Sequence, residues 1–184
     1  MHVTGDIPYS QIISDKISTD NGETWSEEIF VAWDSKRPYA RPGMPVFTKM
    51  GNGEFIVVFE DGIDDNFRIH YKISPDGKTW EEGLGTRIPD HIGAPYITKL
   101  SNDRLLLISN SHVVSYSDDH GQTWVTNAEV PWLGAFPNYC WPSCYQTGKN
   151  EIALITSVPR RGGGHKIEIC FGEMEMTRSI FPFW

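Results

Sequence analysis

One acidic residue follows an apolar stretch in a position suited to acid–base chemistry. Glu60 comes directly after the run Phe55–Phe59 and directly before Asp61 and Gly62. A carboxyl group at the end of a buried strand is partly desolvated, which raises its pKa, whereas a neighbouring cation lowers it again. Hydrolysis of a glycosidic bond uses a pair of carboxyl groups tuned in this way. Glu60 is therefore predicted to be a catalytic carboxylate, with a structural hydrogen bond or a surface ion pair as the alternative.

A second acid is less well defined. Asp61, Asp64 and Asp65 share one loop with Glu60, and Asp90 opens the next repeat beside His91. A retaining glycosidase holds its two carboxyl groups about 5 Å apart and an inverting one about 6.5–9.5 Å apart. We take Asp90 as the candidate second catalytic acid and Asp61 as a candidate substrate-binding residue. For each of these acids the alternative is a solvated loop position.

The loop after Glu60 lacks the pattern of a metal site, and the cysteines lack the pattern of a disulfide scaffold. The run Asp61–Asn66 lacks the twelve-residue pattern and closing Glu of a calcium loop, so neither a metal nor another cofactor is predicted. The three cysteines, Cys140, Cys144 and Cys170, are an odd number without a paired Cys-x-x-Cys signature. They are expected to be small buried apolar residues.

Aromatic and imidazole side chains are candidates for binding a sugar, because flat apolar faces suit the C–H side of a sugar ring. Four residues are considered for such a wall: His91, His112, Trp132 and Trp141. The alternative is packing between neighbouring sheets. His91, His112 and Trp141 are taken forward as candidate substrate-binding residues.

A repeated phrase shows which elements must position these residues. Ser-x-Asp-x-Gly-x-Thr-Trp occurs at Ser18–Trp25 and at Ser117–Trp124, and a copy one residue shorter occurs at Ser74–Trp80. In each copy the Asp can accept backbone hydrogen bonds, the Gly allows a positive φ, and the Trp anchors the turn. The copies are predicted to be hairpin turns and thus scaffold.

This phrase is the Asp box, and the chain resembles the sialidase-like family of β-propellers. The resemblance implies an all-β fold built of radially arranged, four-stranded antiparallel blades. It says little about the reaction, because Asp boxes occur both in hydrolases and in propellers without enzymatic activity.

A narrower resemblance concerns one blade. Arg41–Val46, followed by Lys49–Phe55 and Phe59-Glu60, looks like the corresponding blade of exo-acting arabinan hydrolases and, more distantly, of sialidases. The resemblance implies that Arg41 faces the central pocket and binds substrate, and that Glu60 is an active-site carboxylate. Within the rim, a salt bridge is the alternative for Arg41.

The family often places a Tyr and an Arg near the last inner strand. Tyr139 fits the first and is a candidate substrate-binding residue, whereas the Arg is absent. Sialidases bind the substrate carboxylate with three arginines. Besides Arg41, only Arg160 and Arg161 are candidates in rim loops, and they adjoin Gly162–Gly164. The complete arginine triad is therefore not evident.

Composition supports a single all-β domain. The chain is 39% hydrophobic and 12% aromatic, with 17 Gly and 12 Pro, and no apolar run approaches a membrane span. A net charge of −8 with scattered basic residues argues against nucleic acid as a partner. The first residues do not read as a signal peptide, so the sequence does not encode the compartment. The family resemblance suggests an extracellular or periplasmic location.

The strand pattern predicts little more than three blades. We expect a partial blade at 1–33, blades at about 41–90 and 91–131, and a partial blade at 138–184, with 13 strands in all. Propellers typically close with about four to eight blades, and open strand edges invite pairing with another chain. The chain is therefore expected to be part of a longer six-bladed protein or half of a ring that a homodimer completes.

Strand direction predicts where a site would lie. If Asp boxes join third to fourth strands at one rim, the loops before first strands and after second strands lie at the opposite rim, which is the expected place for binding residues. The expected function is an exo-acting glycoside hydrolase acting on a terminal sugar of an arabinan- or sialoside-type glycan. The alternative is a carbohydrate-binding or interaction propeller, or a truncated one, without turnover.

Overall fold

The computed structural model describes residues 2–4, 11–62, 65–111, 113–129, 141–159 and 165–173. The described residues form four antiparallel sheets that follow one another along the chain. Among these residues there is no helix, and hence no helix long and apolar enough to cross a membrane. The chain is thus all-β over its described part.

The first two sheets are formed from seven strands. Sheet 1 contains β1 (His2–Thr4), β2 (Gln11–Asp15) and β3 (Ile29–Ala32). Sheet 2 contains β4 (Pro42–Lys49), β5 (Phe55–Asp61), β6 (Arg68–Ser74) and β7 (Thr86–Ile92). Strand β1 was not predicted, because three residues are too few to show an alternating pattern.

The remaining strands form two further sheets. Sheet 3 contains β8 (Tyr96–Lys99), β9 (Leu105–Ile108), β10 (Val113–Ser117) and β11 (Val125–Glu129). Sheet 4 contains β12 (Ser143–Gly148), β13 (Glu151–Pro159) and β14 (His165–Glu173). The first strands of sheets 2, 3 and 4 contact one another in sequence order, β4 with β8 and β8 with β12.

Each repeated phrase is a hairpin turn, as predicted: the second and third copies join the third and fourth strands of sheets 2 and 3, and the first joins β2 to β3. In the first copy Asp20 Oδ1 accepts a hydrogen bond from the Thr24 N–H at 2.9 Å, and in the third copy Asp119 Oδ1 accepts one from Thr123 at 2.9 Å. In the shorter second copy Asp76 Oδ1 binds both Lys78 and Thr79, at 2.8 and 2.7 Å. The tighter turn therefore keeps the same clasp with one residue fewer.

Apolar side chains fill the spaces between consecutive sheets, because every strand alternates its side chains between two faces. Val57 and Phe59 of β5 pack towards sheet 1, whereas Ile56 and Val58 pack towards sheet 3. In sheet 3, Leu106 and Ile108 pack towards sheet 4. Both faces of sheets 2 and 3 are therefore covered.

Sheet 4 has one apolar face that no described sheet covers. Its exposed members lie on β12, β13 and β14: Tyr145, Ile155, Ile167, Ile169 and Phe171. At the other end, the Asp-box tryptophan of sheet 1, Trp25, is 60% exposed. Its counterpart in sheet 2, Trp80, is 8% exposed and packs among residues of sheet 1. Within the described residues, the two end sheets therefore present apolar surface that the inner sheets bury.

Candidate functional site

Strand register determines which residues share an end of the sheets. Phe55 pairs with Ser74, where the second Asp box begins, whereas Glu60 pairs with Ile69 at the opposite end of the same strands. Pro42 pairs with Asp61, so Arg41 lies at the same end as Glu60. We name this end the front rim and the end with the Asp boxes the box rim. The predicted separation of Glu60 and Arg41 from the boxes is confirmed by this register.

Three dipeptides recur at the front rim, one at the beginning of the inner strand of each of three consecutive sheets. Each consists of a non-glycine residue with positive φ followed by proline: Met44-Pro45 with φ 52°, Ala94-Pro95 with φ 40°, and Trp141-Pro142 with φ 37°. Together with Val46 these six residues line one cleft of about 220 Å³. We name it the axial cleft, because its walls come from the inner strands of three neighbouring sheets.

These three positions are strained. A side chain disfavours the left-handed region, and the following proline restricts the backbone further. Such a conformation costs roughly 1–3 kcal/mol and persists only where the surrounding structure fixes it. Contacts that hold these residues in place should therefore be found next to the cleft.

Two such contacts are present, and they are equivalent. Glu60 Oε2 accepts a hydrogen bond from the Ala94 N–H at 2.8 Å. Asn110 Oδ1 accepts one from the Trp141 N–H at 3.1 Å. In both cases a side chain at the end of a second strand holds the strained residue of the next sheet. We name these two hydrogen bonds the rim clamps.

Register shows that the two clamp residues occupy the same place in their sheets. Val58 pairs with Val46, the residue after Pro45, and Ile108 pairs with Tyr96, the residue after Pro95. Glu60 and Asn110 come two residues after Val58 and Ile108, and each side chain reaches the next sheet along the chain. Because Asn110 performs the clamp as a neutral amide, the negative charge of Glu60 is not needed for the clamp.

Arg41 is half-buried at the front rim, directly before β4. Its backbone N–H donates to Asp61 Oδ1 at 3.1 Å, and its carbonyl accepts a hydrogen bond from Gly62 at 3.0 Å. Within the described residues its guanidinium group makes no hydrogen bond or ion pair. The group has five N–H donors, so Arg41 can still bind a ligand.

Asp61 has a structural role in this arrangement. Its carboxylate is fully buried and forms an ion pair with the Arg37 guanidinium at 2.6 Å, in addition to holding the Arg41 backbone. A side chain without exposed surface does not offer a sugar a binding group. This geometry argues against the predicted substrate contact and assigns Asp61 to positioning the segment that carries Arg41.

Asp90 does not lie beside Glu60. It is an exposed residue with φ 63° on β7, the outer strand of sheet 2, and β6 separates that strand from β5. Two strand spacings place the backbones of β5 and β7 about 10 Å apart. The predicted pair of catalytic acids therefore lies on strands that are not adjacent, with β6 between them.

Asp65, another of the loop acids, is also engaged. It binds His70 Nε2 at 2.8 Å and forms a bidentate ion pair with Arg87. Although burial opposes it, these hydrogen bonds and charges lower the pKa of Asp65. A carboxylate held ionised in this way is poorly suited to donate a proton.

His91 lies in the core instead of the predicted sugar-stacking wall. Its side chain is fully buried, with Nδ1 2.8 Å from Ser109 Oγ and Nε2 2.8 Å from Ser115 Oγ. Burial lowers the pKa of His91 to about 3, so the ring is neutral at ordinary pH. The sequence suggested a surface role because a histidine next to a loop acid carries no mark of burial. The structure makes His91 a polar link between sheets 2 and 3.

The remaining predicted residues divide into two groups. Trp141 is 52% exposed and lines the axial cleft, as a substrate contact requires. The other candidates lie outside the described residues: Asp64, His112, Trp132, Tyr139, Arg160 and Arg161. Among the described residues no group of acidic, histidine or cysteine side chains is arranged to hold a metal ion.

Cys144 is the one cysteine whose side chain is described. It is buried in the core between sheets 3 and 4, and burial raises the pKa of its thiol to about 12. A thiol that stays protonated is inert. The prediction of a small buried apolar residue is thus confirmed for Cys144.

Comparison with known proteins agrees with this architecture. The family model described as BNR/Asp-box repeat matches residues 16–27 and 115–126, the first and third boxes. The shorter middle box is not matched. No curated protein matches the chain at the sequence level.

Several solved structures are similar to the chain in fold. The GH93 α-L-arabinofuranosidase of Fusarium graminearum, in complex with arabinobiose, is 21% identical with a TM-score of 0.72, covering 89% of this chain and 50% of that one. The α-L-arabinanase of Penicillium chrysogenum, also with arabinobiose, is 15% identical with a TM-score of 0.69, covering 98% and 57%. NanB sialidase from Streptococcus pneumoniae is 17% identical with a TM-score of 0.59, covering 95% and 28%.

These likenesses show the fold. The chain carries Asp-box repeats and folds as part of a β-propeller of the sialidase type, as its sequence predicted. It spans about half the length of the arabinofuranosidase. These three structurally similar proteins are glycoside hydrolases.

Proposed function

We propose that this chain forms the active part of an exo-acting glycoside hydrolase that removes a terminal sugar from an arabinan-type glycan. Glu60 is the active-site carboxylate and Arg41 orients the sugar. The observation that carries the proposal is the charge at Glu60, because the equivalent clamp in the next sheet uses the neutral Asn110. A charge that the scaffold does not need points to a chemical use.

The clamp leaves Glu60 able to act. An ionised carboxylate has two oxygen atoms and about four lone-pair sites, and the Ala94 N–H occupies one of them. The hydrogen bond fixes the side chain in one orientation, as precise positioning of a catalytic group requires. In glycoside hydrolysis such a carboxylate either attacks the sugar carbon or takes a proton from water, while a second acid protonates the leaving oxygen.

The substrate class follows from the cations at the front rim. Recognition of a sialic acid carboxylate uses bidentate arginine contacts. Among the described residues of this rim, Arg37 is paired with Asp61, and Arg68 lies on the third strand of sheet 2. Arg41 is the arginine directly before an inner strand, and its guanidinium makes no hydrogen bond or ion pair there. One guanidinium can donate hydrogen bonds to the hydroxyl groups of a neutral sugar, whereas a sialic acid carboxylate calls for a cluster of arginines.

A second function is favoured by the placement of the other acids. Asp61 is buried in an ion pair, Asp65 is held by Arg87, and Asp90 lies two strands from Glu60. Without a proton donor the same site would bind a sugar and not cleave it. The alternative is therefore a carbohydrate-binding propeller that uses the same cleft.

We further propose that a second copy of the chain completes the ring. Sheet 4 has an exposed apolar face and sheet 1 has the exposed Trp25. The equivalent surfaces of sheets 2 and 3 are buried against neighbouring sheets. In a head-to-tail dimer, sheet 4 of each copy would cover sheet 1 of the other copy, so that the ring contains two equivalent contacts. Ile169→Lys, which places a charge on the sheet 4 face, should convert a dimer into a monomer in light scattering. A wild-type chain that is monomeric at micromolar concentration would contradict this proposal.

The activity is tested with an aryl arabinoside, arabinan and a sialoside as substrates. We expect the arabinose-containing substrates to be hydrolysed and Glu60→Gln to abolish turnover. Glu54→Gln serves as the matched control, because it makes the same change directly before β5, at the box-rim end of the same strand. Turnover that survives Glu60→Gln overturns the assignment of Glu60, and sugar binding without any turnover favours the binding propeller.

A further inference from the structure

The axial cleft has a wall that the clamp residues position. We propose that Trp141 is the platform on which the terminal neutral sugar ring stacks, and that Asn110 is the positioning residue that sets the indole in place. This inference rests on the proposed function, since it names the binding surface of the same site. It makes Trp141, a candidate substrate contact from the sequence, the specificity-determining residue, and it adds Asn110 as the support of Trp141.

The order of the sheets determines the shape of the cleft. The three strained residues come from sheets 2, 3 and 4 in turn, so that Met44 and Trp141 flank Ala94. Met44 is 39% exposed and Trp141 is 52% exposed, whereas Ala94 is 5% exposed. Two large apolar side chains with accessible surface thus stand on either side of a small buried residue. A flat ring fits between such walls with its faces against apolar groups.

Asn110 fixes one of these walls through two backbone contacts. Its side-chain oxygen accepts the Trp141 N–H at 3.1 Å, and its own N–H donates to the Gly93 carbonyl at 3.0 Å. Asn110 therefore connects the beginning of the inner strand of sheet 3 with that of sheet 4. Because Trp141 precedes Pro142 and has φ 37°, its backbone has little freedom once this bond forms. A preorganised aromatic ring loses little entropy when a ligand stacks on it.

The lining of the cleft indicates the ligand. Among the described residues it consists of Met44, Pro45, Val46, Ala94, Pro95, Trp141 and Pro142, and none of these is charged. A carboxylate-bearing sugar would need cations at this surface, whereas a neutral sugar presents apolar C–H faces. The cleft of about 220 Å³ lies below the range of roughly 300–1,000 Å³ for drug-sized ligands. A single terminal ring is therefore the expected occupant.

Trp141 differs from the tryptophans of the Asp boxes. Trp80 is nearly buried and packs in the core between sheets 1 and 2. Trp25 is as exposed as Trp141 but lies on the box rim, at the opposite end of the sheets. Trp25→Ala is therefore the matched control, since it removes an exposed indole without touching the cleft. Light scattering must show the wild-type oligomeric state for this variant, because Trp25 also belongs to the proposed dimer surface.

The experiment measures arabinobiose binding to the full chain by calorimetry, in the wild type and in Glu60→Gln, which prevents turnover during the titration. Trp141→Ala should weaken binding about tenfold or more, and Trp141→Phe less, because a ring remains. Trp25→Ala should leave binding unchanged. Sialyllactose should bind no variant measurably. Equal affinity of Trp141→Ala and wild type, or tighter binding of sialyllactose than of arabinobiose, would overturn the inference.

The role of Asn110 is tested by rescue. Asn110→Ala removes the acceptor and should weaken arabinobiose binding, whereas Asn110→Asp keeps an oxygen acceptor and should restore it. If Asn110→Ala and Asn110→Asp lose the same thermal stability and bind arabinobiose with the same affinity, Asn110 is only structural and the positioning role fails. Binding that depends on Trp141 in a chain without turnover supports this inference while contradicting the hydrolase. Turnover that is unchanged in Trp141→Ala supports the hydrolase and contradicts this inference.

Discussion

Replacing Glu60 separates its charge from its hydrogen bond. Gln has nearly the same shape and a neutral acceptor oxygen, and the Asn110 clamp shows that a neutral side-chain amide can hold a strained residue at this position. Glu60→Gln should therefore keep the rim clamp on Ala94 and lose only the charge. Glu60→Ala should lose both.

The expected effects on stability follow from the contact. A hydrogen bond to a charged group contributes about 1.5–3 kcal/mol and a neutral one about 0.5–1.5 kcal/mol. Glu60→Gln should thus lower the free energy of unfolding by roughly 1 kcal/mol. In Glu60→Ala the N–H of Ala94, a residue only 5% exposed, is left without its partner. The loss should then be about 2–4 kcal/mol, because an unsatisfied buried donor costs about 1–3 kcal/mol in addition.

The expected effects on activity have a different pattern. A positioned acid or base contributes about 10²–10⁴-fold to the rate, so both variants should lose at least that factor in kcat on an aryl arabinoside. The assays are urea unfolding and release of the aryl group, measured on the same preparations. Activity that falls in proportion to stability, with Glu60→Gln nearly as active as wild type, would refute the reasoning and make Glu60 a clamp alone.

Two further predictions concern stability. The hydrogen bonds from Thr24 lower the pKa of Asp20 to about 2, and those from the backbone of Lys78 and Thr79 do the same for Asp76, against an ordinary value of 3.8. Because the folded pKa lies below the unfolded one, this stabilisation is complete above pH 3.8 and is lost as the pH falls towards 2. The melting temperature should therefore fall over this pH range. Asp20→Asn should make the melting temperature less dependent on pH. Asp61→Asn leaves Arg37 without its carboxylate and should cost about 2–4 kcal/mol in urea unfolding, with Asp90→Asn close to wild type as the comparison.

The sequence predicted the scaffold more reliably than the site. The Asp boxes fix three turns and the register of the strands around them, so the front rim could be located from spacing alone. The clamps could not be found in this way, because Phe59-Glu60 and Ser109-Asn110 share no residue type. Their equivalence is visible only when register shows that Val58 and Ile108 stand opposite corresponding residues. Sequence patterns reveal periodic burial, and they do not reveal which polar side chain reaches across to the next sheet.

The burial of two candidates was hidden for a related reason. Asp61 and His91 are polar residues close to loops, which usually indicates exposure. Here each is buried because specific partners satisfy it, Arg37 in one case and Ser109 with Ser115 in the other. Those partners are 18 or more residues away in the sequence. No local pattern encodes such a pairing.

The strained residues give the strongest argument that the front rim is a functional surface. Positive φ at Asn21, Asp103 and His120 occurs in turns and in residue types that tolerate it. Met44 and Trp141 are not residue types that tolerate positive φ, since both carry large side chains and both precede proline. A scaffold under no other demand would be more stable with glycine there, as in a tight turn. Glycine, however, would remove the side chains that wall the axial cleft, so the strain is consistent with a surface kept for binding. Trp141→Gly should therefore not weaken folding as much as the loss of a large side chain usually does, while it removes sugar binding.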